Sequence, residues 1–164
     1  MSHVKVDELT ENDWMRYRDI RIKALESDGH AFGGDLKSEC NFSEETWREK
    51  ARQYLGLVAH LDGKDIGMMT VENLVGDFDV TCWIGSCWVN PEFRKCGALR
   101  ALFEYVDGRS TEKSWQIQGL GVWVNNKIAI TAYEKLGFKK IGEAQESTRK
   151  PGKYYQKMIR VAAK

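Results

Sequence analysis

Apolar positions along the chain follow two rhythms, and the changes between them mark the elements. Residues 3–6 read as a short strand. Thr10 then offers a helix N-cap, with Asp13 at the spacing of a capping box. Trp14, Tyr17, Ile20, Ala24 and Leu25 fall near one face of the helix that follows, which runs to about Ser27. Residues 28–34, Asp-Gly-His-Ala-Phe-Gly-Gly, read as a loop. Ser43 caps a second helix that reaches about Gln53. Residues 54–61 and 66–74 read as strands, joined by the hairpin signal Asp62-Gly63-Lys64. After a turn at Gly76-Asp77, residues 80–89 form a longer strand rich in aromatic and β-branched residues. Asn90-Pro91 ends it, because proline cannot donate to a ladder.

The rhythm then becomes helical. Leu99, Leu102, Phe103 and Val106 share one face. Residues 117–124 read as a strand. Ile128, Ala129, Ala132, Tyr133 and Leu136 recur at helical spacing, and Gly137 stands where a C′ glycine closes a helix. Residues 138–141 and 154–161 supply the last strands. Strand, helix, helix, three strands, helix, strand, helix, two strands predicts a mixed α/β sheet with one crossover in its second half.

Composition narrows the function. The 164 residues suit one domain, 1–164, with a core of its own. A net charge of +1 and basic clusters as short as Lys139-Lys140 and Arg149-Lys150 speak against a nucleic-acid partner. No apolar stretch approaches the ~20 residues of a membrane helix, so no membrane partner is expected. The N-terminal residues lack the apolar centre of a signal peptide, which predicts a cytoplasmic protein with reduced thiols. Cys40, Cys82, Cys87 and Cys96 contain no Cys-x-x-Cys pair and no zinc spacing, so no metal is expected.

The chemistry concentrates in residues 88–99, Trp-Val-Asn-Pro-Glu-Phe-Arg-Lys-Cys-Gly-Ala-Leu. A strand end runs through a short basic loop into a helix start. Such a start exposes unpaired N–H groups and the positive end of the helix dipole, a ready place for phosphate. Gly97 lets a ligand approach the backbone, and Arg94 and Lys95 add positive charge. A plain strand-to-helix turn with solvated basic residues would carry the same features. A P-loop signature is absent, and the single glycine at 97 argues against a dinucleotide fold.

This segment resembles the cofactor loop of the GNAT-superfamily N-acetyltransferases, Arg/Gln-x-x-Gly-x-Gly/Ala after a strand ending in Val-x-Pro. Arg94 and Gly97 match. Lys95 stands where glycine is common, and Leu99 where glycine or alanine is usual. Residues 122–138 resemble the family's second motif, in which Asn126, Ala129, Tyr133, Gly137 and Phe138 fall at the family's offsets. Arg21, Ala24 and Leu25, with Ala31-Phe32-Gly33, also look like a common subtype.

The resemblance implies a mostly antiparallel sheet of six to seven strands flanked by about four helices. It implies acetyl-CoA as co-substrate, bound by Trp88, Val89, Arg94, Lys95, Cys96, Gly97, Ala98, Leu99, Asn126 and Tyr133. The implied reaction is direct attack of a primary amine, on a small molecule or peptide, on the thioester. A backbone amide near Trp88 or Val89 would meet the oxyanion, and Tyr133 occupies the general-acid position. Glu72, near the end of its strand, is the candidate base, with Glu39 as the other carboxylate considered. Cys87 and His30 are further polar groups near these elements. The alternative is a module of the same fold that senses acyl-CoA or an amine without turnover. Many family members pair, and the terminal strand could contribute to a homodimer.

Overall fold

The computed structural model describes residues 3–164. Seven strands hydrogen-bond in the order β1-β2-β3-β4-β5-β7-β6. Residues up to 72 with 85–105 make one compact unit, and residues 73–84 with 106–164 make a second.

The first unit starts with β1 (Lys5–Leu9), which begins later along the chain than residues 3–6, where the sequence pattern places it. Thr10 and Asp13 form the expected capping box on a short 3-10 turn. α1 (Trp14–Asp28) follows, then α2 (Leu36–Cys40) and α3 (Glu44–Gln53), which Ser43 caps. At five residues α2 is too short to show a periodicity. β2 (Leu55–Leu61) pairs antiparallel with β1 and with β3 (Lys64–Asn73). Asp62 and Gly63 turn that hairpin at φ 51 and 79, the left-handed pair that this tight turn requires. On one sheet face Leu9, Val58, Met68 and Trp88 pack against Tyr17, Ile20, Ala24 and Leu25 of α1 and Trp47 of α3. Tyr17 and Phe42 both meet the Trp47 ring edge-on. α4 (Ala98–Gly108) serves the opposite face: its Tyr105 donates to Glu8, whose neighbour Leu9 points the other way.

In the second unit β5 (Ile117–Trp123), β7 (Tyr154–Val161) and β6 (Lys139–Glu146) form an antiparallel ladder in that spatial order. β4 (Cys82–Val89) joins β5 in parallel through Cys82 and Trp83. The connection through α4 and the four-residue α5 (Ser110–Lys113) is the expected crossover. β4 starts two residues later than the sequence pattern predicts. Phe78 and Asp79 both take φ 64, in the turn that leads into the strand.

α6 (Lys127–Lys135) corrects the reading of its apolar face. Ile130 is buried, whereas Ile128 is 87% exposed. β6 extends to Glu146, past the 141 predicted, around a register shift at Gly142, φ 69. Its residues are mostly exposed, so no apolar alternation marks it. Inside, the Arg160 guanidinium bonds to Asp107, reaches Gln118 Oε1 at 3.2 Å and lies over Phe138. Among the described residues no helix is long and apolar enough to cross a membrane.

Candidate functional site

The loop from strand to helix lies in the first unit. β4 ends at Val89, and the Asn90 N–H donates to Ile66 O of β3 at 2.7 Å. Asn90 Oδ1 accepts from the Glu92 N–H, which fixes a 3-10 turn over Pro91–Phe93. The backbone then turns left-handed twice, at Lys95 (φ 70) and Gly97 (φ 89). Glycine takes the second conformation without steric cost, and the space where its Cβ would sit is open to 4 Å. The Gly97 carbonyl accepts from the Ala101 N–H at 2.9 Å, so α4 begins directly after it. The first-turn N–H groups of that helix have no intrahelical acceptor and point back over the loop. Cys96 is exposed, and its thiol donates to Phe93 O.

Side chains around the loop divide into core and surface. Ala98, Leu102, Phe103 and Val106 anchor α4 in buried positions. Leu99 is partly buried, at the edge of that apolar stripe rather than within it. Trp88 is 4% exposed, and its ring belongs to the core under α1 and α3. Its carbonyl lies so near Gly67 that a Cβ there would be 2.9 Å away. Arg94 is folded back: Nε donates to Val89 O at 3.2 Å and Nη2 to Asp28 Oδ2 at 3.0 Å. The same Asp28 oxygen accepts from Trp88 Nε1 at 2.8 Å.

Upstream on β4, Ser86 has φ 52, a single left-handed residue inside a strand. Arg21 of α1 donates to its hydroxyl at 3.0 Å. The same guanidinium is bound edge-on by Glu39 of α2 and lies over the Phe32 ring. Glu39 is 6% exposed and both its oxygens are engaged. The second carboxylate, Glu72, differs. It follows Met68 and Thr70 at alternate positions on β3, which puts it on the sheet face that α1 and α3 cover. Among the described residues no hydrogen bond or ion pair holds it.

Asn126 and Tyr133 lie together on α6, in the second unit. The Asn126 Oδ1 accepts from the Ala129 N–H at 3.2 Å and caps the helix. The Tyr133 ring meets Phe138 edge-on at 5.8 Å. Gly137 between them has φ 99, the left-handed C′ residue that the sequence marks. His30 is exposed at the end of the 29–31 turn.

Asp28 escapes a reading of the sequence by motif, and Arg21 is read only as part of a subtype pattern, yet each breaks a local rule. Asp28 is an acid at a helix C-terminus, facing the negative end of the dipole. Arg21 falls on the apolar stripe of α1 beside Tyr17, Ile20 and Ala24. Among the described residues no cluster of three His, Cys, Asp or Glu side chains could hold a metal ion.

The family model described as an acetyltransferase (GNAT) domain matches residues 52–140. No curated protein matches the chain. Among solved structures, the chain is similar to a GNAT-family acetyltransferase from Streptococcus pneumoniae, with TM-score 0.76 and 15% identity over 98% of this chain and 100% of that one. It is also similar to a ribosomal-protein-alanine N-acetyltransferase from Brucella melitensis, with TM-score 0.69 and 18% identity over 96% and 99%. A third is spermidine N-acetyltransferase from Vibrio cholerae in complex with CoA and spermine, with TM-score 0.71 and 15% identity over 97% and 95%. At these identities the likenesses speak for the fold, and the family model, matching more than half of the sequence from before β2 into β6, speaks for descent: this chain belongs to the GNAT acetyltransferase family.

Proposed function

We propose that this acetyltransferase, one domain over residues 1–164, moves an acetyl group from acetyl-CoA to a primary amine of a small molecule or peptide. The observation that carries the cofactor part is the double left-handed turn at Lys95 and Gly97 leading into α4. The residues there fit a pyrophosphate. The first-turn N–H groups of α4 lack intrahelical acceptors, the space at Gly97 is open, and Lys95 contributes charge. Leu99 departs from the family pattern, but its side chain is partly buried at the edge of the α4 stripe, which supports a backbone contact at this position. Gly97, Ala98 and Leu99 would then contribute main-chain donors, and Cys96, whose N–H donates to Phe93 O at 3.4 Å, would line the loop beside them. Asn126 and Tyr133 belong to the second motif and are assigned to the same cofactor on that resemblance.

Acetyl-CoA, when bound, supplies the acetyl group as an activated thioester. The protein's part is proton handling and charge stabilisation. An alkyl amine is protonated at neutral pH, with a pKa near ~10, so a base must take its proton before attack. Glu72 is assigned that role, because no hydrogen bond or ion pair among the described residues holds its carboxylate and it lies on the face under α1 and α3. Glu39 is a poorer choice, since Arg21 occupies both of its oxygens. A backbone N–H near Trp88 or Val89 meets the negative charge that develops on the carbonyl oxygen. The Tyr133 hydroxyl protonates the departing sulfur.

Amine acceptors of the kinds named for the similar structures, spermidine or a ribosomal-protein alanine, bracket the acceptor class to be searched. A reducing, cytoplasmic setting is part of the proposal; none of the four cysteines is in a disulfide. The test has two arms. Acetyl-CoA should raise the melting temperature by linkage, and an amine panel with thiol detection should find an acceptor. No thermal shift overturns the cofactor assignment. A shift with no turnover on any amine favours the sensing module of the same fold.

A further inference from the structure

Asp28 closes α1 with a carboxylate where the helix dipole disfavours one. The preceding turn offers no basic residue in compensation and adds Glu26, a second acid. A local rule broken in this way calls for a gain elsewhere. The gain is visible on Asp28 Oδ2, which accepts from Ser27 Oγ at 2.8 Å, Trp88 Nε1 at 2.8 Å and Arg94 Nη2 at 3.0 Å. Trp88 precedes the cofactor loop and Arg94 lies within it, so one oxygen clamps both sides of residues 89–93. Arg94 completes the clasp through Nε on Val89 O. Directly beyond it the backbone takes the left-handed conformation at Lys95, which a lysine does not adopt unaided.

We propose that Asp28 is a positioning residue for the cofactor loop: by holding Arg94 across the loop's mouth it keeps the turn at Lys95 and Gly97 in the conformation that receives a pyrophosphate. This rests on the reading of that loop as the pyrophosphate site. Asp28 touches neither cofactor nor acceptor; it acts through Arg94 and Trp88. Its carboxyl also sits below the usual carboxylate range. Burial pushes it up, but the Ser27 and Trp88 hydrogen bonds and the Arg94 charge outweigh that.

The test uses CoA itself as the probe, titrated by calorimetry into the full chain, which requires no knowledge of the acceptor. Asp28→Asn should weaken CoA binding about tenfold, the scale of one charge-assisted hydrogen bond. Arg94→Gln should do the same. The double variant should bind no more weakly than the weaker single variant, because the two residues act as one device. Without CoA, trypsin should cleave after Lys95 faster in both single variants, a change that a purely direct Arg94–phosphate contact would not produce. Wild-type affinity or tighter binding in Asp28→Asn overturns the proposal, as do additive effects. If Asp28→Asn does not fold, Arg94→Gln decides alone, since that side chain is half-exposed. Unchanged cleavage after Lys95 in Arg94→Gln then overturns it. A wild-type chain that binds no CoA overturns the loop assignment itself, an outcome distinct from wild-type binding with an indifferent Asp28→Asn.

Discussion

Arg21 and Glu39 meet edge-on, Nε to Oε1 and Nη2 to Oε2, each at 2.9 Å. Both side chains are nearly buried, at 11% and 8% exposure. The pair ties α1 to α2, and the remaining Arg21 nitrogen holds the Ser86 hydroxyl at the left-handed residue of β4. A bidentate pair with a third hydrogen bond is the geometry in which burial of two charges is tolerated. Removing one member leaves the other uncompensated. Glu39→Gln should therefore destabilise the protein by about 3–5 kcal/mol, with a Tm fall on the order of 10 °C. Urea unfolding measures the first and calorimetry the second. A change under ~1 kcal/mol would mean that water solvates Arg21 more than its burial implies.

Gly34 sits against this pair. A Cβ built there would lie 2.0 Å from Glu39 Oε2 and 2.5 Å from Arg21 Nη2. Gly34→Ala should cost about 1–3 kcal/mol, because neither charged group can move without breaking the bidentate contact. Gly29 is the control. It takes φ −52 and ψ −31, and nothing lies within 4 Å of its missing Cβ. Gly29→Ala should be neutral or stabilise by up to about 1 kcal/mol through the unfolded chain. Equal effects at the two glycines would sink the steric account.

Near β1, Asp7 accepts from Arg16 at 3.1 Å and pairs with His60 Nε2 at the same distance, while Arg16 also binds Asp65. Burial raises the Asp7 pKa, but hydrogen bonds from Arg16 and His60 and their charges win, and it lies below its ordinary 3.8. A depressed folded pKa means that the folded state holds fewer protons than the unfolded one at acid pH. The stability it contributes is fully present above the ordinary carboxylate value. It is lost as pH falls below ~3.9 and through the lower folded value. Asp7→Asn should leave less steepness in that acid limb and little change in slope between pH 5 and 8. A slope change centred near neutral pH would overturn the carboxylate account. Asp7 is nearly half exposed, so solvent keeps the magnitude small.

Most of the fold is legible in the sequence because burial imposes a period. Tyr154–Val161 and the Thr10–Asp13 capping box read directly, and Gly137 announces its own φ. The reading fails where burial does not act. α2 and α5 are single turns. Most of β6 is exposed, and Ile128 is an apolar residue left in solvent. The loop proposed to receive the cofactor is legible as a motif, but what holds it is not. Asp28 and Arg94 are 66 positions apart, and only the folded chain makes them neighbours.

The Tyr133 ring and its hydroxyl can be separated by experiment. Phe138 meets the ring edge-on at 5.8 Å and 67°, a contact that needs only the aromatic carbons. Tyr133→Phe keeps those carbons, so the helix packing and the CoA affinity should be retained. The hydroxyl is the proposed proton donor to sulfur, and a positioned general acid contributes about 10²–10⁴-fold to rate. Turnover at saturating acetyl-CoA and acceptor should therefore fall by that order while Tm and CoA titration stay at wild-type values. Glu72→Gln should lower the rate as well, but with a different signature. Loss of a base that must take a proton from an ammonium ion is partly offset as pH rises toward the amine's own pKa, whereas loss of the acid is not. A Tyr133→Phe enzyme with wild-type turnover would remove the acid role and leave the ring as packing against Phe138. Equal pH dependence in the two variants would remove Glu72 from the proton path.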